Sequence, residues 1–189
     1  LARSRGLGDV YKRQNHSSWD HQILSSADQQ QPPIRLGLRL IKGLSEAAGQ
    51  RIHTAQRQRT FANVADLRQR ACLDRGDMEA LAAADALSGI SGNRYQSHWQ
   101  TMALEARRPL LPHDSAAQHS QDDAAVRAAP TLPEDVVADY QSTGLTLRSH
   151  PLSLLRHQPP FDRCRRQTEL ETLGNHRFVR VAGLVTCRQ

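Results

Sequence analysis

The stretch from Ile34 to Arg57, I-R-L-G-L-R-L-I-K-G-L-S-E-A-A-G-Q-R-I-H-T-A-Q-R, constrains the fold more than any other. A basic, apolar lead-in runs into Lys42-Gly43-Leu44-Ser45, and a helix-forming segment follows at once. Glycine lets the main chain turn tightly and approach another group closely. Ser45 is a good N-cap. Beyond it, Leu44, Ala48, Ile52 and Ala55 share one stripe at three- and four-residue spacing, with Arg51 and Arg57 off that stripe. The layout is that of a helix-hairpin-helix. Amides at a helix N-terminus lack an intrahelical acceptor and carry partial positive charge, so such a turn holds an anion through its backbone. Lys42, Gly43, Leu44 and Ser45 are the expected contacts, Lys42 as a mobile cation, with Arg39 and Arg51 as secondary cations. The matching partner is a nucleic-acid backbone gripped without readout of its bases. An ordinary helical turn with Gly43 as a mere C-cap has the same spacing, so spacing alone leaves both readings open.

Charge sharpens the picture without deciding it. Of the formal net charge of +6, residues 1–14 hold +3, residues 15–60 hold +3, residues 61–106 hold −2, residues 107–160 hold −1 and residues 161–189 hold +3. Between Arg35 and Arg59 there are six basic residues and a single acid, Glu46. That block suits a phosphate-lined partner, and it also suits a solvated helix face. A second turn at Ala71-Cys72-Leu73-Asp74 has Cys72 where a phosphate-gripping hairpin wants glycine, and Asp74 would repel phosphate. A structural role is the better reading there.

The expected fold class is mainly α: a tandem helix-hairpin-helix region, a flexible linker, short helices, then a strand. Asn15 to Asp28 is polar with Trp19 as its one large anchor, and Gln29 to Pro33 reads as a loop. Ile34, Leu36 and Leu38 alternate as a short extended lead-in, and Leu40 to Gly43 reads as a helical turn ended by glycine. Asn63 can cap a helix over Val64 to Ala71. Asp74 can cap another running to Leu87, with Asp77 in its first turn and Asp85 on its Met78, Leu81, Ala82 side. Ser88 to Gly92 reads as a loop. Asn93 can cap a helix to about Ala106 with Trp99, Met102 and Ala103 inward. Residues 107–132 are poor in large apolar side chains and read as a flexible linker. In residues 133–175, a helical connector, Pro133 opens a helix anchored by Val136, Val137 and Tyr140, Gly144 stops it, and His150 to Leu155 forms one more short helix. Arg177 to Val185 alternates as a strand with Val179, Val181 and Val185 on one face. A lone strand is not stable, so the chain reads as cut inside a β-domain that begins near 176–189.

Several function classes find no support. No apolar run approaches the roughly 20 residues needed to span a bilayer, and no signal-peptide h-region is visible. Cys72, Cys164 and Cys187 are odd in number and widely spaced, which argues against a zinc site or disulfide framework and makes a reducing cytoplasm the default location. The nine histidines form no ligand pair, and His53, His98 and His176 read as surface or packing residues. Asp122-Asp123 and Glu134-Asp135 lack the strand context of a two-metal site. No P-loop is present. No catalytic residue, metal ligand or cofactor site is therefore assigned.

Residues 1–14 stand apart. Ser4 to Gln14, S-R-G-L-G-D-V-Y-K-R-Q, resembles the in-frame translation of a sequencing-library adapter, with Asp9 to Gln14 matching GAT GTG TAT AAG AGA CAG. On that reading half of the net charge is not native to the protein. The alternative is a natural basic arm, and the source codons decide between them.

N-H-S-S-W-D (Asn15 to Asp20), R-L-G-L-R-L-I-K-G-L (Arg35 to Leu44), F-A-N-V-A-D-L (Phe61 to Leu67), M-E-A-L-A-A-A-D-A-L (Met78 to Leu87), D-Y-Q-S-T-G-L-T-L-R-S-H-P-L (Asp139 to Leu152) and V-R-V-A-G-L-V (Val179 to Val185) resemble, in order, the C-terminal third of bacterial C-family DNA polymerases. The likeness is greatest to the error-prone, damage-induced paralogue of the replicative alpha subunit, favoured by His98-Trp99-Gln100 and Asp85. It implies that residues 15–106 are a tandem helix-hairpin-helix DNA-binding region and that residues 176–189 open an OB-fold. It also implies a nucleotidyltransferase whose Mg2+-binding carboxylates lie upstream, so that this fragment is catalytically silent. Expected partners are duplex DNA, bound independently of sequence, and other mutagenesis or replisome proteins. Ser45 departs from the family's second hairpin glycine and Cys72 from its usual glycine. The corresponding region of the replicative subunit, and a non-enzymatic protein-docking module, are the alternatives.

Overall fold

Four residues with left-handed backbone, Gly43, Cys72, Asp85 and Gly92, punctuate the first half of the chain, and each ends one helical segment just before the next begins. The structure is a computed structural model that describes residues 17–24, 32, 34–104, 128–185 and 187–188. It divides after Leu147 into two compact units. The adapter-like residues 1–14, and all of the expected linker before residue 128, lie outside the described residues.

In the first unit, β1 (Gln22–Ile23) pairs antiparallel with β2 (Ile34–Arg35), placing Gln22 opposite Arg35. The extended lead-in is thus only two residues long, and it passes into a 3-10 turn at Leu38–Leu40. Helix α1 (Glu46–Gln58) follows, then α2 (Val64–Arg70), α3 (Arg75–Ala83), α4 (Ser88–Ser91), α5 (Arg94–Ala103) and α6 (Leu132–Ser142). The caps are those that short-range chemistry favours. Ser45 accepts from the Ala48 amide at 3.1 Å, Asn63 from Asp66 at 2.8 Å, Asp74 from Asp77 at 2.7 Å and Asn93 from Gln96 at 2.9 Å. The core gathers the predicted stripe of Leu44, Ala48, Ile52 and Ala55 with Phe61, Val64, Leu67, Leu73, Met78, Leu81 and Leu87. Trp19 packs against it over Gly49, where a Cβ would lie 2.4 Å from the indole ring. Arg70 closes the C-terminal end of α1. It donates to the carbonyls of Ala55 and Arg59, stacks 4.9 Å over Phe61, and pairs with Asp66 at 3.3 Å.

Six expectations need correction. The helix from Asp74 stops at Ala83, not Leu87, because Asp85 takes φ +57 and the Ala86 amide reaches back to the Leu81 carbonyl at 2.9 Å, a Schellman ending. Ser88 to Ser91 is a helical turn rather than loop. The buried face of α5 is Arg94, Ser97 and Thr101, whereas Trp99 and Met102 are half exposed and Ala103 faces solvent. Val137 is exposed while Val136 is buried, and α6 starts one residue earlier than expected, with Thr131 as its N-cap. Finally, α6 belongs with the first unit rather than with a separate connector. Arg94 of α5 pairs with Asp135 at 3.1 Å and with fully buried Asp139, and Val136 is sealed beside them.

The second unit, from Arg148 onward, contains α7 (Pro151–Leu155), a 3-10 turn at Phe161–Arg163 and α8 (Gln167–Leu170). Residues 177–185 pair with no strand among the described residues, although the Arg165 amide donates to the Arg180 carbonyl at 2.8 Å. Their alternating valines, Val179, Val181 and Val185, are exposed.

Candidate nucleic-acid interface

The turn between Ile41 and Ser45 is shaped by two opposed demands. Leu38, Ile41 and Leu44 are buried, pulling the backbone into the core from both sides. Gly43, between them, sits at φ +86, which a side-chain-bearing residue adopts only with strain. Ser45 then caps α1. The result is a turn whose apolar residues face inward while Lys42, Gly43, Ser45, Glu46 and Ala47 are exposed.

Its backbone amides divide into two groups. The Lys42 amide donates to Ser142 at 2.9 Å, and the Leu44 amide to Ile41 at 3.3 Å, so both are already used. The amides of Gly43 and Ser45 have no recorded acceptor among the described residues. Those of Glu46 and Ala47, the first two positions of α1, have no acceptor within the helix. Four amides on exposed residues thus cluster at one helix N-terminus, at the positive end of its macrodipole. Glu46 lies in the same first turn and opposes an anion there.

The predicted cations are less free than the sequence implied. Lys42 is anchored, not mobile: its ammonium donates to the carbonyls of Gln141 at 2.9 Å and Tyr140 at 3.3 Å, capping the C-terminal end of α6. Arg39 pairs with Asp20 at 2.8 Å on an exposed surface, a contact that salt and solvent weaken. Arg51 reaches from α1 to the Ala71 carbonyl at 2.9 Å and to buried Asp77 at 3.3 Å, tying the first hairpin to the second turn. Among the predicted contacts, the four residues of the turn are held together by the fold, while Arg39 is paired with Asp20. Leu44 contributes its position and not its side chain, which is buried.

The second turn repeats the first in outline. Cys72 stands at φ +49 where Gly43 stands in the first, Leu73 is buried like Leu44, and Asp74 caps like Ser45. Its chemistry differs. The Leu73 amide returns to the Arg68 carbonyl at 3.0 Å, Asp77 closes a capping box with Asp74, and both acids sit at the helix start. An anion would meet two carboxylates there. Sequence reasoning missed the role of α6, because contacts between Lys42 and residues 98 and 99 positions away leave no local signal.

Among the described residues, no group of three or more His, Cys, Asp or Glu side chains is placed to hold a metal ion. No helix among them is long and apolar enough to cross a membrane. The three cysteines are free thiols.

A helix-hairpin-helix motif family matches residues 14–97, a span that contains both turns. The whole chain is 41% identical over 190 residues to an error-prone DNA polymerase of Teredinibacter turnerae, covering 18% of that protein. It is 44% identical over 171 residues to one from Saccharophagus degradans and 46% identical over 178 residues to one from Ralstonia nicotianae, covering 16% of each. No solved structure matches.

Proposed function

We propose that this chain, which spans less than a fifth of the length of the relatives it matches, is a segment of an error-prone DNA polymerase and that its first unit grips the DNA backbone without reading sequence. The observation that carries this reading is the cluster of amides at Gly43, Ser45, Glu46 and Ala47 on an exposed helix N-terminus. A phosphate seated there accepts from main-chain donors whose positions the buried leucines fix, at no cost in side-chain ordering. Anchoring Lys42 on α6 keeps a positive charge beside the turn, and Arg39 adds another. The whole protein would be a DNA-directed DNA polymerase of translesion synthesis and damage-induced mutagenesis, working in the cytoplasm. Its metal-binding carboxylates would be supplied by other parts of the protein. The alternation of Val179, Val181 and Val185 along the sequence is what supports reading residues 176–189 as the opening of an OB-fold.

The test is a substitution that separates folding from binding. Ala47→Asp places a carboxylate at the start of α1, where it favours the helix dipole by about 0.3–1 kcal/mol and repels phosphate. In fluorescence anisotropy with a labelled duplex at low salt, the variant is expected to bind about tenfold or more weakly while melting no lower than the parent. Equal affinities would overturn the hairpin grip.

A further inference from the structure

A second positive surplus lies apart from the block of six basic residues and one acid between Arg35 and Arg59. Residues 148–189 contain eight arginines, no lysine and three acids, a net charge of +5, whereas residues 15–147 hold thirteen basic and fifteen acidic residues, a net charge of −2. The second unit folds part of this surplus into one place. A cleft of about 510 Å3, within the usual size of ligand sites, is lined by Arg156, Arg163, Arg165 and Arg166, with Asp162 and Glu169 as its acids. Arg156 is half buried and held by the Cys164 carbonyl at 3.5 Å, so one guanidinium is positioned by the fold. Arg165 pairs with Glu169 at 3.5 Å in an exposed contact that a stronger anion can displace. Arg163 and Arg166 are exposed at the rim.

We infer that this arginine cleft is a second phosphate-binding contact for a nucleic-acid strand, built on residues 148–189 and chemically distinct from the backbone grip of the hairpin. The residue type favours phosphate: a guanidinium fork matches two phosphate oxygens at once, and arginine holds that geometry better than lysine. Four guanidinium groups against two carboxylates leave a local surplus of +2. That surplus makes the cleft a second source of salt-dependent affinity beside the hairpin. The inference takes its ligand class, a phosphodiester strand, from the hairpin reading and nothing else.

The test uses the full 189-residue chain. Wild type, the pair Arg163→Glu with Arg166→Glu, and Ala47→Asp are titrated with one labelled duplex across a salt series. Circular dichroism checks folding. If the Glu pair does not fold, the Gln pair at the same positions reads the same change. The arginine pair is expected to lose about tenfold or more in affinity at low salt, and its log-affinity against log-salt slope is expected to flatten by about one to two. Replacement by lysine at both positions keeps most of the slope. An unchanged slope in the Glu or Gln pair overturns the cleft assignment, and leaves the hairpin standing if Ala47→Asp still weakens binding. Loss only in the arginine pair removes the hairpin and keeps the cleft. Inorganic phosphate at matched ionic strength is the last arm: displacement of the duplex from wild type but not from the arginine pair is expected where strand and anion share the cleft, whereas phosphate that binds wild type and not the arginine pair while leaving the duplex bound overturns the strand assignment.

Discussion

Gly49 is where a single atom decides how the first unit closes. Trp19 lies across α1 because position 49 has no Cβ, and one added there would sit 2.4 Å from the indole. Alanine improves helix propensity by about 1 kcal/mol, but forcing the indole off its seat costs about 1–3 kcal/mol in overpacking. Gly49→Ala is therefore expected to lower stability in urea denaturation by up to about 2 kcal/mol. Position 43 makes the complementary point: its constraint is backbone angle, not space, since an added Cβ would meet only Ala80 at 3.8 Å. Cys72 and Asp85 occupy the same left-handed region as Gly43, so each is a strained choice that the surrounding packing enforces. Asp66 shows how the fold tunes a single charge. Burial pushes its carboxyl up, but the Ala62 amide and the guanidinium groups of Arg70 and Arg59 outweigh that and hold it below its ordinary value.

Elements in this chain are joined by arginines as much as by leucines. Arg70 closes α1, Arg51 links α1 to the second turn, and Arg94 brings α6 onto α5. The last is the most buried: Arg94 is 7% exposed, Asp135 6% and Asp139 0%. Replacing Arg94 by alanine takes the guanidinium from two buried carboxylates, and is expected to destabilise the first unit by about 3–5 kcal/mol in chemical denaturation. An unchanged midpoint would show that α6 is not held by this cluster. Local chemistry made many elements legible in advance. Ser45, Asn63, Asp74 and Asn93 were readable as caps because a cap acts within three residues. The stripe from Leu44 to Ala55 was readable because a helix imposes its period on its buried face. Apolarity misled in α5, where an arginine and two hydroxyl residues turn inward and Trp99 does not. No local rule announces that a buried salt bridge, rather than a hydrophobic stripe, defines a helix face.

At the scale of the molecule, the hairpin was visible in the sequence and its company was not. Lys42 was expected to swing free, but α6, some hundred residues later, claims both its ammonium and its amide. What remains for a ligand is main chain: four amides set by buried neighbours on one helix start. Positive charge is in surplus in two places, between Arg35 and Arg59 with six basic residues against one acid, and on residues 148–189 with a net +5. The proposed geometric grip on the first unit and the proposed salt-sensitive attraction on the second would be two separable contributions to one task. The central claim is that the hairpin meets DNA through its backbone, and amide-resolved NMR reads this directly. On titrating an isotopically labelled chain with duplex DNA, the amide signals of Gly43, Ser45, Glu46 and Ala47 are expected to move early and farther than those of Cys72, Leu73 and Asp74 in the second turn. Binding of the duplex with those four signals unmoved would contradict the account.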